Sequence, residues 1–268
     1  MQHKTQERPN LEKVRTFLLD LDGTFYLGNQ LFPWSERFIR VVTALGKNYR
    51  FVTNNSSRHS RYYADKISKL GIPVTPEQVF TSGEATIYFL KKSGIASSVY
   101  LLGTPELEEE FGSAGFKLTD ASPEALVLGF DMTLNYDKLR IACDLIRKGI
   151  PFFATHPDLN CPTPEGPIPD CGAMIAAIKA STGREPVIIG KPYPAMVEAL
   201  CVKYGLTPEE VAMVGDRLYT DIAMGQNAGI PTILVLSGET RLEDLDGSEF
   251  QPDFVARDLG EVADWLQS

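Results

Sequence analysis

The chain has 268 residues, of which 43% are hydrophobic and 23% are charged, an ordinary composition for a globular protein. The formal net charge is −9 and no basic patch stands out, which argues against nucleic acid or an anionic membrane surface as a partner. No stretch approaches the roughly 18 apolar residues that span a bilayer, and the polar first residues do not resemble a signal peptide. We therefore expect a cytoplasmic protein.

Short apolar runs recur along the chain, separated by polar loops and helical patterns. Several runs are continuously apolar rather than alternating, which is typical of parallel strands covered on both faces. Apolar residues at helical spacing predict helices around residues 38–45 and 196–203. The predicted strands are residues 16–19, 49–53, 99–102, 126–129, 151–154, 187–189, 211–214 and 232–236.

This number of strands is large for one sheet, so the sequence predicts two α/β domains. Small or polar stretches at residues 81–84 and 181–184 are plausible junctions. If both are hinges, residues 84–185 form an inserted domain. Residues 1–83 and 186–268 would then form one core together.

Polar and charged residues directly follow four of the predicted strands. Ligands of open parallel sheets bind beyond the carboxyl ends of the strands, so we expect these residues to meet at one edge. The four segments are Asp20-Leu21-Asp22-Gly23-Thr24, Thr53-Asn54-Asn55-Ser56, Gly190-Lys191-Pro192 and Gly215-Asp216-Arg217, with Asp221 following shortly after.

Oxygen atoms are the donors that this set offers to a metal. The carboxylates are those of Asp20, Asp22, Asp216 and Asp221, and neither a thiolate nor an imidazole accompanies them. Oxygen ligation selects a hard cation, and a site with open positions for water and substrate suits Mg²⁺ better than Ca²⁺. The sequence therefore predicts a magnesium site.

An anionic ligand is predicted at the same edge. Lys191 is suited to neutralising an anion beside the acidic cluster, and phosphate is the obvious candidate. Glycines allow close approach of the backbone, and the amides near Gly23, Asn54 and Asn55 are placed to receive phosphate oxygens.

Each segment also has an ordinary alternative. Asp22-Gly23-Thr24 and Thr53-Asn54-Asn55 are compatible with simple turns, and Lys191 with a surface loop. Asp216 and Asp221 are compatible with a helix cap and a solvated acid. The coincidence of four such segments, each directly after a strand, favours a functional site.

The four segments together resemble the haloacid dehalogenase superfamily of phosphohydrolases, and within it the branch of NagD-like and 4-nitrophenyl phosphatase-like proteins. The motifs that carry the resemblance are LLDLDGTFYLG, FVTNNSS, IIGKPYP and MVGDRLYTDIAMGQNAGI, which lie between residues 18 and 230. The resemblance implies an α/β fold with a Rossmann-like parallel-sheet core. The insertion at residues 84–185 would be an α/β cap domain over the active site.

The resemblance also implies a role for each residue of the motifs. Asp20 would be the nucleophile that forms an aspartyl-phosphate, and Asp22 the general acid and then base. Thr53 would hydrogen-bond the transferring phosphoryl group, and Lys191 would balance its charge. Asp20, the backbone carbonyl of Asp22 and Asp216 would hold Mg²⁺, with Asp221 as an outer or water-mediated ligand.

One loop of the cap is a candidate for contact with the substrate. It runs from His156 through Asp158 to Pro162, and relatives often carry Thr-Asn-Pro-Asp where this chain has Thr155-His156-Pro157-Asp158. Some relatives place a histidine that contacts phosphate near the position of Cys161. His156 therefore either contributes to substrate binding with Asp158 or lies on the surface.

The expected function is a Mg²⁺-dependent phosphatase that acts on a small phosphorylated metabolite. Aspartate at position 22 favours hydrolysis, because the ion-pumping ATPases of the superfamily carry threonine there. A phosphotransferase or mutase is an alternative, and so is a non-catalytic protein that binds phosphorylated metabolites. We expect neither nucleic acid nor a membrane as a partner, and an exposed cap face would allow a homodimer.

Overall fold

Two parallel β-sheets organise the protein, whose computed structural model describes residues 11–163 and 165–268. The strands are β1 (Thr16–Leu19), β2 (Tyr26–Leu27), β3 (Gln30–Leu31), β4 (Asn48–Thr53), β5 (Val79–Thr81), β6 (Ser98–Leu102), β7 (Lys117–Leu118), β8 (Ala125–Leu128), β9 (Phe152–Ala154), β10 (Asn160–Cys161), β11 (Ile168–Pro169), β12 (Val187–Ile188), β13 (Val211–Gly215), β14 (Thr232–Val235) and β15 (Phe254–Ala256).

Helices alternate with these strands. The α-helices are α1 (Ser35–Ala44), α2 (Ser60–Lys69), α3 (Ser82–Ser93), α4 (Pro105–Ser113), α5 (Tyr136–Arg147), α6 (Cys171–Thr182), α7 (Ala195–Tyr204), α8 (Ala223–Ala228) and α9 (Leu259–Gln267). Short 3-10 turns lie at Pro76–Gln78, Pro208–Glu210 and Leu242–Leu245, and a π-helical turn at Leu218–Ile222. None of the helices in the described ranges combines the length and the apolar character needed to cross a bilayer.

The core sheet has six parallel strands in the order β15-β14-β13-β1-β4-β5. Strand β1 is central and all four of its residues are buried. Successive side chains of a strand point to opposite faces. Phe17 and Leu19 therefore pack into the apolar layer on one face, while Leu18 packs into the layer on the other.

The second sheet, which we call the cap sheet after the predicted insertion, has five parallel strands in the order β12-β9-β8-β6-β7. Its edge strand β12 pairs with β9 and lies at residues 187 and 188. The cap sheet thus extends past the predicted boundary at residue 185. The other predicted junction lies at the start of α3, where the Thr81 side chain accepts a hydrogen bond from the Glu84 amide. The division into residues 84–185 and the rest stays a prediction.

One apolar layer joins the two sheets. It contains Leu18 and Val52 of the core sheet together with Val127 and Phe153 of the cap sheet. Helices α3 and α7 contribute buried residues to the same layer. The two sheets therefore share a continuous packed interior.

The predicted fold class and all eight predicted strands are confirmed, with ends shifted by at most a residue or two. Helix α7 covers the second predicted helical segment, and α1 covers the first up to Ala44, with Leu45 as its C-cap. The sequence analysis missed β5 and β15 in the core sheet and the short strand β7 in the cap sheet. It also missed the two-stranded hairpins β2–β3 and β10–β11.

We predict that Phe17→Ala destabilises the protein by about 3–5 kcal/mol, because truncation of a buried aromatic ring leaves a cavity. Phe17 is fully buried and packs edge-on against Phe38, with ring centroids 5.6 Å apart. Urea-induced unfolding measures the change. Val202→Ala, at an exposed position of α7, is the control and is expected to change stability by no more than about 0.5 kcal/mol. Equal stability of both variants would contradict this account of the core.

Candidate active site

Three neighbouring strands of the core sheet end at the same edge and present the predicted motifs there. Leu19 of β1 lies beside Val214 of β13 and Phe51 of β4. Asp20 follows directly, and its amide donates to the Val214 carbonyl over 3.0 Å. The parallel register therefore brings Asp20, the end of β4 and the end of β13 together, as the sequence analysis expected.

Lys191 enters this edge from the cap sheet. Its ammonium contacts the Asp20 carboxylate, and it lies 2.7 Å from Asp221 Oδ1 and 3.4 Å from the Val52 carbonyl oxygen. Lys191 is almost fully buried. Burial lowers the pKa of Lys191, but the carboxylates of Asp20 and Asp221 outweigh it, so the pKa is raised overall. Lys191 is therefore charged at neutral pH.

Three carboxylates surround one point at this edge. Asp20, Asp216 and Asp221 each offer an oxygen within 4.8 Å of the others, and Asp216 and Asp221 are buried. Burial raises the pKa of Asp20 well above its usual range, and although Lys191 opposes this, Asp221 and Asp216 add to it. Burial and then Asp221 raise the pKa of Asp216 to about 6. One lysine does not balance three carboxylates, so the site favours a further cation.

The Asp216 carboxylate fills a pocket of close backbone contacts. Its Oδ2 accepts the Glu239 amide over 2.7 Å, and its Oδ1 accepts the Thr24 hydroxyl over 3.4 Å. A Cβ on Gly23 would lie 2.3 Å from Oδ2, and a Cβ on Gly238 would lie 2.0 Å from it. Gly23 also has a φ of +86°, a conformation that favours glycine. Glycine at position 23 is therefore required for both reasons.

The Asp221 carboxylate is engaged on both of its oxygens. Oδ1 receives the Lys191 ammonium, and Oδ2 accepts the Arg217 amide over 3.2 Å. A Cβ on Gly215 would lie 2.3 Å from the Asp221 side chain. The Lys191 ammonium is thus bound by two carboxylates, those of Asp221 and Asp20.

Asp22 lies at the rim of the same site. Its Oδ1 accepts the Gly28 amide over 3.0 Å, and its side chain is partly exposed to the cavity. Asp20 and Asp22 therefore differ in their surroundings, because Asp20 contacts Lys191 and Asp22 contacts a loop amide. Asp22 lines the cavity, where a ligand would reach it.

The loop after β4 contributes hydroxyl and amide groups. The Thr53 hydroxyl accepts the Asn55 amide over 3.2 Å. Asn55 directs its side-chain oxygen to Ser57 and its amide nitrogen to Cys161 Sγ at 3.9 Å. The Asn54 side chain instead bonds the backbone of Lys191 and the Asp158 carboxylate. Thr53, Asn54 and Asn55 all line the cavity.

A cavity of about 500 Å³ opens in front of these groups. One part of its wall is formed by Asp20, Asp22, Thr53, Asn54, Asn55, Lys191 and Arg217. Helix α2 and the β2–β3 hairpin contribute Tyr26, Tyr62, Tyr63 and Lys66. The loop and hairpin after β9 contribute Asp158, Asn160, Cys161 and Asp170. Its size and its mixed aromatic and charged walls suit a small polar ligand.

His156 lies behind the cavity wall. It is fully buried, its Nε2 is 2.9 Å from Asp170 Oδ1, and its Nδ1 is 2.9 Å from the Thr155 hydroxyl. A surface position for His156 is therefore wrong, and so is its predicted contact with the substrate, because it is fully buried and does not line the cavity. Asp170, which the sequence analysis missed, faces the cavity in its place. The Asp170 side chain accepts a hydrogen bond from the Cys171 amide at the start of α6. An aspartate directly before a helix is the sequence signal that could have drawn attention to this residue.

The chain also matches known protein families and solved structures. Residues 17–117 match the model described as haloacid dehalogenase-like hydrolase, and residues 188–262 match the model described as HAD-hydrolase-like. Dihydroxyacetone phosphatase from Corynebacterium glutamicum (strain R) is 34% identical over 249 residues, which cover 93% of this chain and 90% of the relative. The chain belongs to the haloacid dehalogenase-like hydrolases.

Other members of this hydrolase family match equally fully. Acid sugar phosphatase from Staphylococcus aureus (strain USA300) is 36% identical over 254 residues, covering 94% of this chain and 98% of the relative. The solved structure of 4-nitrophenylphosphatase from Thermotoga maritima has a TM-score of 0.89 at 49% identity, covering 95% of this chain and 98% of that one. NagD from E. coli K-12 has a TM-score of 0.87 at 32% identity, covering 92% and 98%. The predicted NagD-like membership is confirmed.

We predict that Gly23→Ala disables this hydrolase site beyond its effect on stability. The new methyl group collides with the Asp216 carboxylate, and a displacement of about 1 Å at a reacting site can lower the rate by about 100-fold. Gly46→Ala is the matched control, because Gly46 also has a positive φ but nothing lies within 4 Å of its Cβ position. Gly46→Ala is expected to lose about 1–2 kcal/mol of stability for its positive φ. Gly23→Ala is expected to lose about 1–3 kcal/mol more, because its methyl group also collides with Asp216.

The readouts are urea-induced unfolding and hydrolysis of 4-nitrophenyl phosphate. Only Gly23→Ala should lose hydrolysis in proportion far beyond its loss of stability. If the two variants lost the same fraction of activity, the contact between residue 23 and Asp216 would not matter for the site.

Proposed function

We propose that this chain hydrolyses small phosphate monoesters, with Asp20 as the group that is transiently phosphorylated. The observation that carries the proposal is the placement of Asp20 against the buried Lys191 ammonium, at the floor of a cavity that Asp22 also lines. Family membership and the phosphatase names of full-length relatives support it.

In the first step, a carboxylate oxygen of Asp20 would attack the phosphorus of the substrate. The bond between phosphorus and the leaving oxygen breaks as the new bond to Asp20 forms. Asp22, in its protonated form, would transfer its proton to the departing oxygen. The products are an alcohol and an aspartyl-phosphate on Asp20.

In the second step, Asp22 would act as a base toward water. It takes a proton from the water molecule whose oxygen attacks the phosphorus, and the bond to Asp20 breaks. Inorganic phosphate leaves, and the Asp20 carboxylate and the protonated Asp22 are restored. A partly exposed Asp22 is suited to this exchange because water reaches it through the cavity.

Charge stabilisation would come from fixed groups around the phosphoryl oxygens. Lys191 is charged and buried, and its ammonium is held in place by Asp20 and Asp221. The Thr53 hydroxyl and the Asn54 amide would supply hydrogen bonds. The Gly23 amide already donates to the Tyr26 carbonyl over 2.8 Å, and the Asn55 amide donates to the Thr53 hydroxyl. Phosphoryl transfer depends chiefly on such positioned charges and donors.

The residues present also fit Mg²⁺. The donors are oxygens, and the excess negative charge of Asp20, Asp216 and Asp221 over Lys191 calls for a cation. Asp20, Asp216 and the backbone carbonyl of Asp22 would hold the ion. Asp221, whose Oδ1 bonds the Lys191 ammonium and whose Oδ2 accepts the Arg217 amide, would act through water. When bound, the ion would withdraw negative charge from the phosphoryl oxygens.

The substrate is proposed to be a small phosphorylated metabolite of the size of a sugar phosphate. The cavity volume of about 500 Å³ and the printed names of the relatives, dihydroxyacetone phosphatase and acid sugar phosphatase, support this class. Asp158 and Asp170 would meet the leaving group from the side of the cap sheet. The cytoplasmic location and the homodimer stay predictions.

A phosphotransferase or mutase would use the same Asp20 chemistry with a second substrate in place of water. The two reactions are separated by adding alcohols to the assay and measuring new phosphate esters against free phosphate. We expect free phosphate as the product throughout.

We predict that the wild-type protein releases nitrophenolate from 4-nitrophenyl phosphate and that Asp20→Asn lowers this rate at least about 1,000-fold, because the amide is not a nucleophile. Asp65→Asn, an exposed aspartate of α2, is the matched control and is expected to keep full activity. Wild-type protein without activity on any phosphate monoester would refute the proposed function. Full activity in Asp20→Asn would refute the assignment of the nucleophile.

We also predict that removal of divalent cations with EDTA abolishes hydrolysis and that Mg²⁺ restores it. Asp216→Asn should raise the Mg²⁺ concentration needed for half-maximal activity at least about tenfold, because it removes a charged ligand. The measurement is initial rate against free Mg²⁺. Activity that is unchanged in EDTA would show that the carboxylate cluster has another role.

A further inference from the structure

The segment that leads to Lys191 belongs to the cap sheet rather than to the core sheet. Strand β12 pairs with β9, and the pairing continues beyond it, because Ile189 donates to the Ala154 carbonyl over 3.1 Å and Gly190 to the Thr155 carbonyl over 2.7 Å. The next residue is Lys191. The backbone thus attaches this lysine to the cap sheet, while its ammonium contacts Asp20 in the core.

Asn54 bonds the backbone of Lys191 from the core side. Its side-chain oxygen accepts the Lys191 amide over 2.8 Å, and its side-chain nitrogen donates to the Lys191 carbonyl over 3.0 Å. Asn54 is 6% exposed, so these bonds are shielded from water. The close fit extends to Gly190, where a Cβ would lie 2.7 Å from the Asn54 oxygen. One buried amide therefore fixes both polar groups of the lysine backbone.

The same side-chain nitrogen of Asn54 also donates to Asp158, whose carboxylate oxygens lie 3.1 and 3.2 Å away. Asp158 is on the loop after β9 and lines the cavity. Its own carbonyl accepts the Gly172 amide over 2.8 Å, which ties that loop to the start of α6. Asn54 is thus in contact with Lys191 and with a carboxylate that faces the leaving-group side of the cavity.

We propose that Asn54 and Asp158 are positioning residues that hold Lys191 against Asp20. They would also couple Lys191 to the loop after β9, residues 155–159, which we call the cap loop. The inference rests on the proposed function, in which Lys191 neutralises the phosphoryl group. Loss of the Asn54 amide would leave a buried donor and a buried acceptor of Lys191 unpaired, and the loop would shift to satisfy them. Loss of the Asp158 acceptor would free the Asn54 nitrogen and loosen the same arrangement.

The test is the binding of inorganic phosphate, measured by calorimetry in the presence of Mg²⁺, for wild type, Asn54→Ala, Lys191→Ala and the double variant. Asn54→Ala should weaken phosphate binding about tenfold in the wild-type background. In the Lys191→Ala background it should change binding less than about twofold, because its effect passes through the lysine. An equal loss in both backgrounds, or no loss in either, would overturn the proposal.

Asn227→Ala is the control for this cycle. Asn227 also donates a hydrogen bond to the segment that carries Lys191, at the Pro192 carbonyl over 2.9 Å. Asn227 is exposed, however, and bonds no residue of the cap loop. We expect phosphate binding within about twofold of wild type. A loss in Asn227→Ala as large as that in Asn54→Ala would mean that any bond to this loop matters, and would count against a particular role for Asn54.

A second pair of variants tests the contribution of the cap loop without altering the buried amide. Asp158→Asn and Asp158→Ala lose the same charge, but only the asparagine retains an oxygen that can accept from Asn54. Asp158→Asn should bind phosphate at least about fivefold more tightly than Asp158→Ala. Identical affinities would reduce the effect of Asp158 to its charge and overturn the coupling.

Phosphate binding does not require turnover, so these results are independent of whether the protein hydrolyses monoesters. If wild type binds phosphate with the expected dependence on Asn54 and Lys191 but releases no phosphate from esters, the proposed function fails and the coupling stands. If it hydrolyses esters but the binding cycle is additive, the coupling fails and the proposed function stands.

Discussion

A buried lysine between two carboxylates is the interaction on which the rest of the site depends. Three acids at the end of a packed parallel sheet would be strongly destabilising without a cation, because buried charges need partners. Lys191 supplies one such partner by contacting Asp20 and Asp221 at once. The negative charge that remains is the physical reason for expecting a divalent cation at this place. Lys191 and that cation together would then attract a phosphoryl group.

This arrangement explains why the protein needs both of its sheets. The core sheet brings Asp20, Thr53 and Asp216 to one edge through the register of three neighbouring strands. The cap sheet provides the strand that carries the chain to Lys191. Because one apolar layer joins the sheets, the position of the lysine relative to the acids is determined by packing between them.

The sequence was sufficient to predict the core of this site, for physical reasons. Strands buried on both faces are continuously apolar, so they are visible as runs, and polar residues that follow them mark the edge of the sheet. The strand pairing of β12 was not predictable in the same way, because an apolar run does not indicate which sheet it joins. Short strands such as β15 and β7 depend on neighbours rather than on their own pattern.

Side-chain partners far apart in the chain were harder still to predict. The burial of His156 depends on Asp170 and Thr155, and the role of Asn54 depends on Lys191, which is 137 residues away in sequence. Nothing in the local composition of Thr53-Asn54-Asn55 distinguishes a phosphate contact from a bond to the lysine backbone. Such roles follow from the packing of the two sheets, and only the structure contains that information.

The central claim is that Asp20 and Asp22 have separate roles, Asp20 as the nucleophile and Asp22 as the acid and base. A rapid-mixing experiment with Asp22→Asn and 4-nitrophenyl phosphate tests it most directly. Nitrophenolate leaves without protonation, so the first step should proceed, whereas water would lack its base in the second. The account predicts a burst of nitrophenolate equal to the enzyme concentration, and acid-quenched protein with phosphate on the peptide that contains Asp20. If Asp22→Asn turned over at the wild-type rate without a burst, or carried phosphate on another peptide, the result would contradict these roles of Asp20 and Asp22.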